Sequence, residues 1–225
     1  KAQPRFEESL AIGKRLNLRW VIADSLLNLG HVAVALGDYT TARTRLEQAA
    51  TIAKSINEVW LVANVLNNLG EAARIQSDYE QARRSYEESQ VLFRTLEAKS
   101  DVARSLHNLG HVAQHQGDYE QAEANFRESL SMFRELGNKR GMAECLAGLG
   151  GSQAAQNHPQ TAARLLAVAE SQIHTSGASW WPADQVEYDR NLTLIQAALD
   201  EETFARAWAE GQALSLAEAI AEILD

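Results

Sequence analysis

Apolar residues fall along this chain in two alternating helical stripes, and the whole pattern recurs every 40 residues. The first stripe reads Ile22, Leu26, Leu29, Ala33 and Leu36, and its next copies read Val62, Leu66, Leu69, Ala73 and Val102, Leu106, Leu109, Ala113. Steps of three and four residues put each set on one face of a 3.6-residue helix. The second stripe reads Ala42, Leu46, Ala49, Ile56, then Ala82, Tyr86, Ser89, Leu96, then Ala122, Phe126, Ser129, Leu136. Between the stripes stand Gly37-Asp38-Tyr39, Ser77-Asp78-Tyr79 and Gly117-Asp118-Tyr119. Glycine tolerates the left-handed residue that ends a helix, and aspartate supplies an oxygen to cap the next one. Gln81 and Gln121, three residues past their aspartates, fit a variant capping box. One helix-turn-helix per 40 residues is predicted.

The first helices share a column, Asn28-Leu29-Gly30, Asn68-Leu69-Gly70 and Asn108-Leu109-Gly110, with an altered fourth copy at Gly148-Leu149-Gly150. A glycine inside a helix costs about 1 kcal/mol against alanine. Its recurrence therefore predicts a close approach of the partner helix, expected at the Ala42 column. Four helix pairs follow, at residues 17–56, 57–96, 97–136 and 137–176. Residues 1–16 align with the second helix of a pair, so a truncated repeat is expected there, cut from a longer protein. In the fourth pair Asn157-His158-Pro159 replaces the turn and Gln153 falls on the apolar stripe. Pro159 suits a first helical turn, and looser packing with a different surface is expected. The register breaks at Trp180-Trp181-Pro182. Helices over 185–199, 203–210 and 216–224 are expected to cover the apolar end of the array, as a cap over 177–225. Trp20, Trp60 and Trp180 share a column and are expected to pack between repeats, while Trp181 and Trp208 are assigned to the cap core.

Composition narrows the picture. A fixed period makes residues 1–225 one continuous repeat domain. Hydrophobic content of 45%, only 3 prolines and no run of eighteen apolar residues exclude a helical membrane span. The formal net charge of -9, with no basic block, argues against direct nucleic-acid contact by these residues. The single Cys145 forbids an internal disulfide and suits a reducing, cytoplasmic setting. Glu218, Glu222 and Asp225 are read as a solvated helix face.

Leu-Gly in the first helix, Gly-Asp-Tyr at the turn, then Ala, a large apolar and a small residue resemble the tetratricopeptide repeat motif, in three copies. The resemblance spans residues 17–176. The 40-residue period exceeds the usual ~34 and is similar to the longer variety in kinesin light chains and bacterial regulators. It implies an all-α solenoid, a right-handed superhelix whose first helices line the concave face. Carried over residue by residue, the groove positions form four ladders: Asp24, Asn64, Arg104, Glu144; Leu27, Asn67, His107, Ala147; His31, Glu71, His111, Gly151; and Val34, Arg74, Gln114, Ala154. Arg74 and Arg104 are the only cations among them, which counts against a carboxylate clamp. The segment from Phe204 to Gly211, with Leu214 to Ile220, resembles the end of the repeat region in large bacterial regulators. In those an ATPase module precedes the repeats and a LuxR-type helix-turn-helix can follow. The resemblance implies a non-enzymatic region binding a peptide, a partner protein or a small inducer. The alternative is a general adaptor scaffolding a protein complex.

Candidate chemistry is sparse. The sequence has no P-loop, no Gly-x-Ser-x-Gly elbow, no paired cysteines and no His-Glu-x-x-His, so no catalytic residue and no cofactor is assigned. His107, His111 and His115 share a helix face. Without carboxylate or cysteine partners they read as a polar groove face, not a metal site. For Asn28, Asn68 and Asn108 two readings stay open: amides clamping the backbone of an extended peptide, or structural bonds to a neighbouring repeat.

Overall fold

The structure, a computed structural model, describes residues 3–224, which form two compact units, Lys1–Ala98 and Lys99–Asp225. The first unit contains α1 (Gln3–Arg15), α2 (Arg19–Ala35), α3 (Tyr39–Ser55), α4 (Val59–Ile75) and α5 (Tyr79–Thr95). The second contains α6 (Lys99–His115), α7 (Tyr119–Glu135), α8 (Lys139–Ala155), α9 (Pro159–Thr175), α10 (Pro182–Ala198), α11 (Glu201–Ala213) and α12 (Leu216–Leu224). The described residues are all-helical, with no strand among them. In each unit successive helices pack as pairs, α2 on α3 and α4 on α5 in the first, α6 on α7 and α8 on α9 in the second.

The turns keep a stricter period than the sequence suggests. Left-handed residues stand at Asn17, Gly37, Asn57, Ser77, Glu97, Gly117, Gly137, Asn157 and Gly177, one every twenty residues. Each ends a helix: Asp38 N–H, for example, donates to Ala33 O at 2.9 Å and Gly37 N–H to Val34 O at 3.0 Å, a Schellman closure. Asp38, Asp78 and Asp118 cap the next helix as expected, accepting from Thr41, Gln81 and Gln121 N–H. The reciprocal half of the capping box is not formed. Asp78 and Asp118 already give their N–H to Ala73 O and Ala113 O, while Gln81 and Gln121 bond Ser85 and Asn125 instead.

Ser77 holds φ 62°, which costs an L-residue about 1–2 kcal/mol. Its replacement by glycine relieves that cost and loses part of it to the freer unfolded chain. Ser77→Gly is expected to raise stability by about 0.5–1 kcal/mol in urea unfolding; a destabilised variant would show that the hydroxyl, which accepts from Tyr79 Oη at 3.3 Å, matters more than the backbone.

The glycine column does mark close contacts, with the Ala42-column backbone in reach at Gly30 and Gly150 and a larger side chain nearer still. A Cβ at Gly30 would lie 2.7 Å from the Leu46 side chain, at Gly70 2.7 Å from Tyr86, and at Gly110 2.6 Å from Phe126. At Gly150 it would run into Leu166. The crossing is thus centred on the large residue of the second helix, one turn beyond the Ala42 column. The small residues beside it serve differently: the Ser89 and Ser129 hydroxyls donate to Ala63 O at 2.8 Å and Ala103 O at 2.7 Å. Those buried hydroxyls are satisfied by the backbone of the preceding first helix. The last members of the stripes, Leu36, Leu96 and Leu136, are exposed, because each is the C-cap residue at its turn.

The fourth pair is not loosely packed. Every residue from Gly141 to Ser152 is buried, because α8 meets α6, α7, α9 and α10. Pro159 sits in the first turn of α9, and Gln153 leaves the apolar stripe to bond Glu123 Oε1 at 2.8 Å. Beyond it the cap divides its work. α11 packs on α9, and α12 on α9 and α7, closing the apolar end. α12 is tied down by Arg164–Glu222 at 2.9 Å and by Arg127 donating to Ile223 O. Glu222 is therefore paired, Glu218 caps Ser215 N–H at 2.8 Å, and Asp225 lies outside the described residues. Trp208 stacks on Phe204, and the Arg140 guanidinium lies 4.3 Å over the Trp181 ring. α10 goes elsewhere, across α8.

Candidate functional site

In the Lys1–Ala98 unit, the ladder positions sit on α2 and α4, which pack side by side. Asp24, Asn28, His31, Asn64, Asn68 and Glu71 are half-buried, and Asn67 and Arg74 are buried. The asparagine amides are anchored within their own helices. Asn28 Nδ2 donates to Asp24 O at 2.8 Å, Asn64 to Trp60 O at 2.9 Å and Asn68 to Asn64 O at 2.8 Å. Bonding the carbonyl one turn back is how a short amide side chain is accommodated mid-helix. It commits an amide donor of each and aims the side chain along the ladder. Burial raises the Asp24 carboxyl above its usual range, and the Asn28 amide beside that carboxyl only partly offsets it.

Trp20 and Trp60 are not interior packing residues. They are 48% and 43% exposed, on the first turns of α2 and α4, one turn before Asp24 and Asn64 on the same face. The shared column was the available signal: a tryptophan recurring at a helix start without a matching large residue in the following pair.

The Lys99–Asp225 unit treats the same positions differently. Arg104 is half-buried and paired with Asp101, whereas His107 and His111 are 2% exposed and Asn108 7%. α10 lies over this face. Its Asp184 carboxylate oxygen stands 3.3 Å from His107 Nε2 and 3.9 Å from His111 Nε2, and Glu187 meets His115 Nε2 at 2.8 Å. The carboxylate partners that the histidine row lacks in its own helix thus arrive from 77 and 72 residues further along the chain. Sequence reasoning missed them. The signal was the polar stripe Asp184, Glu187, Asn191 at helical spacing on α10, a buried polar face in search of a partner.

Two glycines of the fourth copy make room for neighbouring side chains, one of them on α10. A Cβ on Gly151 would strike Asn191 of α10 and approach Gln114 Nε2 at 2.7 Å, and one on Gly148 would lie 2.5 Å from the Phe126 ring. Phe126 in turn contacts both imidazoles, with ring centroids 5.6 Å from His107 and 5.0 Å from His111.

Electrostatically the centre of this face is a buried carboxylate between two imidazoles. Burial by itself opposes charge on His107, but the Asp184 carboxylate outweighs it, and the imidazole is pushed up to about 10. The neighbouring Glu144 is held above its usual range by burial and by Asp184, while Arg140 bonds it at 2.8 Å. One turn along α10, burial and the Glu170 carboxylate raise the Tyr188 phenol. The described residues that could hold a metal ion are His107, His111 and Asp184, all buried.

Comparison with known proteins agrees with this architecture. A family model described as Tetratricopeptide repeat matches residues 21–95 and 101–171. No curated protein matches the chain. Among solved structures the chain is similar to the crystal structure of BtubC (BKLC) from P. vanneervenii, with a TM-score of 0.66 at 16% identity, covering 99% of this chain and 91% of that one. No described helix is long and apolar enough to cross a membrane.

Proposed function

Because this chain belongs to the tetratricopeptide repeat family, a protein-interaction scaffold, we propose that its working surface is the inner face of α2 and α4 in the Lys1–Ala98 unit. That face takes an extended peptide or a partner-protein segment. Trp20 and Trp60 supply two exposed aromatic anchors, and Asp24, Asn28, Asn64, Asn68 and Glu71 supply polar contacts behind them. The single observation carrying this reading is the exposure of both tryptophans at equivalent first-turn positions. Large exposed aromatics rimmed by polar groups are typical binding hot spots, and the equivalent face of the other unit is covered by α10.

The setting proposed is the sensor region of a larger bacterial signalling or transcription-regulatory protein, supported by the resemblance of residues 204–220 to the closing segment of such regions. There the bound peptide, partner or small inducer would act by preferring one of two assemblies. The test is a labelled-peptide library read by fluorescence anisotropy, followed by the Trp20→Ala/Trp60→Ala double variant. Peptides selected by the wild type are expected to bind the variant at least tenfold more weakly, with helicity unchanged, and Asn68→Ala is expected to weaken them less. Equal affinity for wild type and double variant would overturn the assignment.

A further inference from the structure

We propose that His107, His111 and Asp184 bind a divalent transition-metal ion, zinc by ligand type, which pins α10 across the inner face of the Lys99–Asp225 unit.

Hydrogen bonds on the far side of each ring decide where the imidazole protons sit. Gln114 Nε2 donates to Gly148 O at 2.9 Å and reaches Ser152 Oγ at 3.0 Å, which turns its Oε1 toward His111 Nδ1 at 3.3 Å. A carbonyl oxygen only accepts, so His111 carries its proton on Nδ1. The Cys145 thiol donates to Ser129 Oγ at 3.2 Å, and that hydroxyl donates to Ala103 O at 2.7 Å. Cys145 Sγ is left to accept from His107 Nδ1 at 3.9 Å. Both rings are therefore held by Nδ1, and both present Nε2 to Asp184.

Once the proton that joins His107 Nε2 to Asp184 is displaced, both imidazoles turn a lone pair toward a cation held beside that carboxylate. The spacing suits a metal. The three ligand atoms lie within 4.8 Å of one another, with the carboxylate oxygen 3.3 Å and 3.9 Å from the two nitrogens. Ligand atoms of a tetrahedral zinc site, at about 2.0–2.1 Å from the ion, stand roughly 3.4 Å apart. Holding a ligating histidine by a hydrogen bond on its other nitrogen is the usual outer-shell arrangement. Two nitrogens with one carboxylate favour zinc or its neighbours over magnesium or calcium.

Two ligands come from α6 and the third from α10, so the site is complete only when α10 is docked. Metal affinity is then coupled to closure of this face. The site belongs to the other unit, and it stands or falls separately from the peptide-binding reading.

The test uses the full chain, freed of metal by a chelator and dialysed, then titrated with Zn2+ and with Co2+. One equivalent of each is expected to bind, Co2+ giving the visible absorption of a four-coordinate ion, and Zn2+ slowing amide exchange across residues 182–198. His111→Gln and Asp184→Asn are each expected to weaken binding more than tenfold, while His115→Gln, one turn away and facing Glu187, retains it. Absence of a stoichiometric Co2+ spectrum in the wild-type chain would overturn the proposal, even if a variant failed to fold. So would equal affinity in the His111 and Asp184 variants, which would place the ion on surface histidines. In either case the occupant among these groups is a proton shared by His107 and Asp184.

Discussion

Truncating Phe126 to alanine is expected to cost about 4 kcal/mol, the largest single-site loss in the chain. The ring is fully buried, and it is shared by more partners than any of its equivalents. Gly110 and Gly148 approach it from α6 and α8 so closely that a Cβ on either would lie 2.6 Å and 2.5 Å from it. His107 and His111 pack on it as well. Removing it leaves a cavity in a core that also holds Leu130, Leu146 and Leu149, all buried. Leu46 fills the corresponding place in the first pair, so Phe126→Leu is expected to lose much less. Urea unfolding followed by circular dichroism measures both; a loss below about 1 kcal/mol for the alanine variant would mean that α6, α7 and α8 collapse around the gap.

Asp184→Asn is the second large effect, with an expected loss of about 3 kcal/mol. The substitution keeps the shape and removes the charge, leaving the imidazoles of His107 and His111 buried opposite an amide. The pair also gives stability a pH dependence in metal-free protein. His107 has a pKa near 10 when folded against 6.5 for an ordinary histidine. The folded state therefore binds the extra proton between those values. The stabilisation is complete below 6.5 and is lost as pH rises toward 10. Unfolding free energies measured in chelator across this window are expected to fall for the wild type and to stay nearly level for Asp184→Asn. Parallel profiles would show that the His107 proton contributes nothing to the difference.

Most of the scaffold was legible in one dimension because it is made of local interactions repeated at a fixed interval. The apolar stripes, the Asp38, Asp78 and Asp118 caps and the glycine column each depend on residues within a few turns of one another. A 3.6-residue period displays such relations directly. The departures of the fourth copy were equally visible, yet their meaning was inverted. Gly148 looks like decay of the motif, whereas it removes a side chain that would obstruct Phe126, and Gly151 does the same for Asn191. An absent Cβ says nothing about which neighbour needs the space.

The site divides along the same line. Asp24, Asn28, Asn64 and Asn68 could be placed on one face by counting, because helical register alone decides it. Counting could not decide whether that face is open. Trp20 and Trp60 read as packing between repeats because large aromatics near helix starts usually do, and their exposure depends on what fails to cover them. His107, Asn108 and His111 read as groove residues for the converse reason: nothing local predicts that α10 will return over them.

The repeating helix pair, its turns and caps, and the register that assigns each side chain to a face could be read in one dimension, since they follow from hydrogen bonds and contacts between residues near in the chain. Which faces are covered could not. Asp184 meets His107 across 77 residues, and docking of α10 turns a row of polar side chains into a buried charged cluster. Burial is a property of the whole packed chain, and the protonation state and ligand chemistry of that cluster follow from burial.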